Sequence, residues 1–192
     1  MILKYFGNIV IVCAVAAAAS MPVYARTKYE PPQTAEFVDP VKFMGLWYEI
    51  ARYPLFFESG VGVTSEFSLL SDGRVRIIFS HMKNLSSRKK SHKGMIWITD
   101  KETNAKFKAM FLWPFKDEFW VLVLDKEYKY TVVGCSKRKA LWVMSRTPQM
   151  DDELYNSLLK IIAELKFDPN RLRKTPQTRQ LSIISPEEYS RE

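Results

Sequence analysis

The sequence predicts an all-β fold, an antiparallel barrel or sandwich, with one α-helix near its C-terminus. Three observations carry that expectation. Short apolar runs recur at close spacing with turn residues between them. No helical pattern interrupts those runs before residue 150. A single amphipathic stretch then follows the last of them.

Residues 1–25 read as a secretory signal. Lys4 supplies a short positive region, an apolar run spans residues 9–19, and Val23 and Ala25 suit the −3 and −1 positions of a cleavage site. That run is too short to span a bilayer as a helix. Cys13 is preceded by bulky Val12 and sits inside the apolar run, so it does not fit a lipid-acceptor cysteine. Residues 26–38, with Pro31 and Pro32, read as an N-terminal arm.

Eight strand candidates follow: 46–53, 61–70, 74–82, 93–98, 105–112, 119–125, 129–135 and 140–146. Ser71-Asp72-Gly73 between the second and third is a hairpin signal, because Gly takes the positive φ that a tight turn requires. Ala105-Lys106-Phe107-Lys108-Ala109 alternates with period two, one face wet and one dry. "FWVLVLD", 119–125, is almost continuously apolar.

The helix is expected at about 151–166. Asp151 or Asp152 can cap it, and Leu154, Leu158, Ile161, Ile162 and Leu165 form one apolar stripe. Such a stripe should lie against the wall of the β structure. Residues 173–192, charged and proline-containing, read as a polar flexible tail.

The chain carries 29 basic and 21 acidic residues, a formal charge of +8. Loss of Lys4 with the leader leaves 28 against 21, or +7. This balance favours anionic surfaces without choosing among them. Cys135 is the one cysteine outside the leader, so the core alone must hold the fold. About 170 residues suffice for one such domain.

Three blocks, in order, resemble the lipocalins, in particular the bacterial outer-membrane lipocalins and their apolipoprotein D relatives. They are "GLWYEIAR", Gly45 to Arg52; "VLDKEYKYTVVG", Val123 to Gly134; and "LWVMSRTP", Leu141 to Pro148. The second departs from the family's usual Thr-Asp-Tyr, with Leu124-Asp125-Lys126-Glu127-Tyr128 in its place. The resemblance covers about residues 39–170. It implies an eight-stranded up-and-down barrel, the lipocalin calyx, over residues 39–172 with the helix packed outside. It also implies a cavity for a small hydrophobic ligand, in keeping with the interior that eight strands enclose.

The resemblance makes Gly45, Trp47 and Arg146 the barrel floor, with the guanidinium packed across the indole. It makes "YPLFFESG", 53–60, the large first loop. Candidate ligand-binding residues are Glu49, Tyr53, Phe56, Phe57, Phe79, Phe107, Phe111, Trp113, Phe115, Trp120 and Trp142. Glu49 shares the parity of Trp47, so it is expected to face inward, where a carboxylate must be paired or protonated. "FLWPFKDEF", 111–119, carries more large rings than an exposed loop needs. Lys83, Arg88, Lys89, Lys90 and Lys93 are a candidate basic rim for a carboxylate or phosphate head.

Catalytic chemistry finds no support. The two histidines, His81 and His92, stand apart from any cysteine or acidic cluster at metal-ligand spacing. There is no Gly-x-Ser-x-Gly elbow and no glycine-rich phosphate loop. A lipocalin-type isomerase or epoxidase would need catalytic residues that cannot be placed. No metal or cofactor is expected, and nucleic acid is not an expected partner of an exported chain.

The resulting expectation is a monomer or homodimer that binds, carries or stores a fatty acid, lysophospholipid or similar lipid in the cell envelope. It would be exported, periplasmic, outer-membrane-associated or secreted, without a lipid anchor, and in transient contact with anionic membrane. The alternative is an interaction or homodimerising module that uses the aromatic mouth.

Overall fold

The computed structural model describes residues 30–54, 60–84, 86–112 and 115–177. The expected leader lies outside them, as do residues 178–192. The strands are β1 (Gly45–Arg52), β2 (Val61–Leu69), β3 (Val75–Met82), β4 (Lys90–Ile98), β5 (Lys106–Leu112), β6 (Phe115–Leu124), β7 (Tyr130–Gly134) and β8 (Leu141–Ser145). Each pairs antiparallel with the next, and β1 pairs with both β2 and β8. The sheet therefore closes on itself as an eight-stranded up-and-down barrel.

The hairpin signal falls where expected. Gly73 has φ +80°, and its N–H donates to the Leu70 carbonyl at 3.0 Å. Two boundaries differ from the sequence reading. β4 starts at Lys90, because Lys90-Ser91-His92-Lys93 is exposed and carries no apolar alternation. Much of 111–119, expected as a loop, is the β5–β6 hairpin.

Two apolar clusters divide the protein. One fills the lower barrel, around Trp47, Phe43, Phe67, Val121 and Met144. The other lies between the outer wall and α2 (Asp152–Glu164). Asp151 caps α2, its carboxylate accepting from the Glu153 and Leu154 N–H groups at 2.9 and 3.1 Å. Tyr155, Leu158 and Ile162 form the buried stripe, against Leu122, Val132, Leu141 and Val143. Ile161, expected in the stripe, is off its axis and exposed.

The chain after α2 returns to the barrel. Residues 173–174, β9 (Arg173–Lys174), pair with Ala51 and Arg52 of β1. The Thr175 N–H donates to the Ile50 carbonyl at 2.9 Å, and the Gly62 N–H donates to the Pro176 carbonyl at 2.8 Å. The first five residues of the expected tail thus fill the gap where β1 and β2 part. The backbone demands it, since parted strands would leave buried N–H and C=O groups unpaired.

The arm is anchored too. The Ala35 N–H donates to the Val121 carbonyl and the Val38 N–H to the Thr103 carbonyl. Asp39 then caps the short helix α1 (Pro40–Phe43) below the barrel.

Candidate functional site: a calyx with a closed floor

At the lower end, Trp47 is fully buried, and its indole N–H donates to the Phe43 carbonyl at 2.9 Å. The Arg146 guanidinium lies 3.8 Å from the centre of that ring. Its nitrogens donate to the carbonyls of Leu46 and Lys42, both at 2.8 Å. One cation thereby joins α1, β1 and the end of β8. Gly45 sits beside it with φ +93°, and a Cβ there would stand 3.4 Å from the guanidinium. The backbone conformation calls for glycine, while a Cβ would make only ordinary contact with the guanidinium.

The β6–β7 turn closes beside this floor. The Asp125 carboxylate accepts from the Glu127 and Lys129 N–H groups, and Tyr128 takes φ +61°. The Tyr128 hydroxyl accepts from the Asp39 N–H at 2.8 Å. The altered spacing in this block still makes the turn that the resemblance implies.

Above the floor is a cavity of about 600 Å³, within the range of small-molecule sites. Phe67, Ile77, Phe79, Phe107, Phe119 and Trp142 line it. Phe119 stands edge-on to Trp142, with ring centres 5.3 Å apart. The cavity opens between the β5–β6 hairpin, where the Phe111 ring is 49% exposed, and the β7–β8 turn with Lys137 and Lys139. Lys108 and Lys116 also border it. Their ammonium groups face outward: Lys108 pairs in register with Trp97 and Glu118, and Lys116 stands 4.3 Å from the Trp97 ring centre.

Of the expected ligand-binding residues, Phe79, Phe107, Phe111 and Trp142 line the cavity. Tyr53, Trp120 and Glu49 do not. A bulge between Glu49 and Ala51 shifts the alternation, so Tyr53 turns outward. Its hydroxyl exchanges hydrogen bonds with the Asp168 backbone at 2.7 and 2.9 Å. Trp120 belongs to the outer cluster under α2, with its indole N–H on Glu118 at 2.7 Å. Phe56, Phe57, Trp113 and the Phe115 side chain lie outside the described residues.

The expected basic rim is also relocated. Lys83, Arg88 and Lys89 are exposed in the β3–β4 connection and do not line the cavity. Lys93 pairs with Ile78, which points out between the inward Ile77 and Phe79. Lys90 pairs with His81 and so shares the inward face of the wall. Lys137 and Lys139, not among the expected rim residues, border the cavity at its open end. Their position in the β7–β8 turn, at the open end of the barrel, was the available signal.

Glu49 does face inward, opposite the cavity-lining Met144, but it is sealed into the wall. Arg52 pairs with it, and the Thr175 hydroxyl donates to the same oxygen at 2.5 Å. The Gln177 amide donates to the Glu49 and Val63 carbonyls. Burial pushes the Glu49 carboxyl up, against the opposing pull of Arg52 and Thr175. Cys135 is a free, half-buried thiol at the cavity edge, and its sulfur accepts from the Lys139 N–H at 3.2 Å. Among the described residues, no three His, Cys, Asp or Glu side chains are grouped to hold a metal ion.

The profile of the lipocalin-like domain matches residues 38–177, from the anchored arm to the segment that completes the wall. The chain belongs to the lipocalin family. It is 32% identical over 161 residues to the outer membrane lipoprotein Blc of Citrobacter freundii, covering 82% of this chain and 91% of that one. It is also 32% identical over 147 residues to temperature-induced lipocalin-1 of Arabidopsis thaliana, covering 71% and 78%. Among solved structures, insecticyanin from Manduca sexta superposes with a TM-score of 0.60 at 22% identity, over 77% of this chain and 84% of that one. That last likeness bears on the fold. This lipocalin has the closed floor, open mouth and apolar interior suited to binding a small hydrophobic ligand.

Proposed function

We propose that this lipocalin carries or stores a single-chain lipid, a fatty acid or lysophospholipid, in the cell envelope. The supporting observation is the shape of the cavity. It is closed below by Trp47 and Arg146, lined by aromatic and aliphatic side chains, and open at one end beside Lys137 and Lys139. An acyl chain would enter apolar end first, with its polar head left at the mouth. Burial of each methylene supplies about 0.8 kcal/mol, and no bond is made or broken. The leader-like N-terminus and the similarity to bacterial proteins named as outer membrane lipoproteins support an exported, envelope-associated chain. The exposed Phe111 ring and the mouth lysines suit transient contact with anionic membrane.

Native mass spectrometry with lipid extraction tests this reading on protein exported with its own leader. A stoichiometric single-chain lipid is the expected result. Protein that is empty and also ignores added fatty acid and lysophospholipid would overturn it.

A further inference from the structure

The two histidines, far from any catalytic partner in sequence, meet on the inward side of the barrel rim, just beyond the cavity lining, His81 half-buried and His92 exposed. His81 is on β3, two residues above the cavity-lining Phe79, with ring centres 5.6 Å apart. His92 is on β4, directly opposite Phe79 in register, and so faces the same way. The two imidazoles stack, 5.6 Å between centres and 9° from parallel. Lys90 stands opposite His81 in the same register. The β1 bulge brings Arg52 round to the inward face, opposite Trp142. The His81 Nδ1 is buried with no hydrogen-bond partner among the described residues.

This is an accumulation of cationic and protonatable groups on one inward surface. Facing it from β1 is one carboxylate, Glu49, already held by Arg52 and Thr175. The neighbouring part of β2, Val61 to Val63, supplies no charge, and neither do Thr175 and Gln177. Lys83, Arg88 and Lys89 add positive charge from the β3–β4 connection. Asp117, Lys137 and Lys139 border the cavity from β6 and the β7–β8 turn. Glu58 belongs to segment 55–59, outside the described residues. A stacked imidazole pair beside a lysine and an arginine favours an anion at the mouth.

We propose that His81 and His92, with Lys90 and Arg52 beside them, form a headgroup subsite for the anionic end of a single-chain amphiphile. The subsite rests on the carrier reading and deepens it. The acyl chain lies below, against Phe79, Phe107 and Trp142, while a carboxylate or phosphodiester meets the imidazole edge. A consequence is proton linkage. Burial, and then the charges of His92, Lys90 and Arg52, hold the His81 imidazole below its ordinary proton affinity. A bound anion offsets those charges and raises it, so binding takes up a proton and tightens as pH falls.

Titration of intrinsic tryptophan fluorescence at about pH 5.5 and about pH 8 brackets the imidazole range. The probes are myristoyl lysophosphatidylglycerol, whose phosphodiester stays charged throughout, myristate for the carboxylate source, and monomyristoylglycerol, of equal chain and no charge. Lysophosphatidylglycerol is expected to bind several-fold tighter at the lower pH, approaching the limit of about tenfold that a coupled one-unit pKa rise sets. Monomyristoylglycerol should show no such change. A weaker pH response for myristate than for lysophosphatidylglycerol is expected, because its own carboxylate gains a proton on acidification. In His81→Gln/His92→Gln the lysophosphatidylglycerol ratio should collapse to within about twofold, well below the factor that one pKa unit gives. Thermal unfolding of that variant at both pH values separates a folding defect from lost linkage. For a folded variant, Arg52 and the lysines remain, so retention of the full pH ratio would overturn the subsite. Equal binding of the charged and uncharged probes, or an anion preference without pH slope, would overturn it while leaving the carrier reading. Failure of every probe to bind at either pH would remove both.

Discussion

Trp47 and Arg146 show how much one pair of side chains can close. The indole fills the lower barrel, and the guanidinium covers it while bonding carbonyls of α1 and β1. Trp47→Ala should therefore cost about 3–5 kcal/mol, as for other large buried aromatics, measured by denaturant unfolding. A near-wild-type midpoint would show that the floor holds without it. Glu49 gives a second prediction, with a sign. Its folded-state pKa is raised above the ordinary value of 4.5, chiefly by burial. The contribution from this proton is therefore complete below the unfolded pKa and lost as pH rises through the folded one. Glu49→Gln carries no such titration, so the stability of wild type relative to Glu49→Gln should fall as pH rises above 4.5. Unfolding curves at acid and neutral pH check it; a constant difference between the two proteins would contradict the shift. The floor pair was legible in the sequence because three ordered blocks carry it. The knot around Glu49 was not, because its partners Thr175 and Gln177 lie 126 and 128 residues away.

At the scale of elements, two features escaped the sequence for physical reasons. Alternation along β1 places Trp47, Glu49 and Tyr53 on one face, and a single bulge moves Tyr53 to the other. The apolar run in β6 is buried on both faces, by the calyx inside and α2 outside, so periodicity could not tell inward Phe119 from outward Trp120. The β hairpin, the order of the strands and the helix stripe were readable because each is a local pattern. The closing segment 173–177 is not local: it is polar, short, and ordered only by the gap between β1 and β2. Gln177 is buried there, and its amide serves the Glu49 and Val63 carbonyls. Gln177→Ala should destabilise by roughly 1–3 kcal/mol through those unpaired acceptors, read from thermal or denaturant unfolding. A chain ending at Leu172 should lose more, since the backbone edges of β1 and β2 would both be left open. Unchanged stability of either protein would mean that the segment only covers a wall that stands without it.

For the whole molecule, the decisive relation is between a closed floor, a wall covered on its outside by α2, and a cavity that opens at the strand ends. A ligand can grow in one direction until its tail reaches Phe43, which lines the cavity and packs on Trp47. Across saturated fatty acids of increasing length, affinity should rise about fourfold per methylene, corresponding to about 0.8 kcal/mol each. The rise should then stop, because the cavity of about 600 Å³ has no exit past the floor. Ala109 lines that cavity and is almost fully buried, so Ala109→Leu narrows the barrel from within. Its break should come at a shorter chain than in wild type, measured by displacement of a fluorescent fatty acid. The slope below the break should stay the same, since methylenes that still fit are buried as before. A break at the same length in both proteins would place the acyl tail outside the calyx, on the exposed Phe111 side of the mouth. A shifted break with an unchanged slope puts the tail inside the calyx, beside Ala109 and between Phe107 and Met144, which line the cavity.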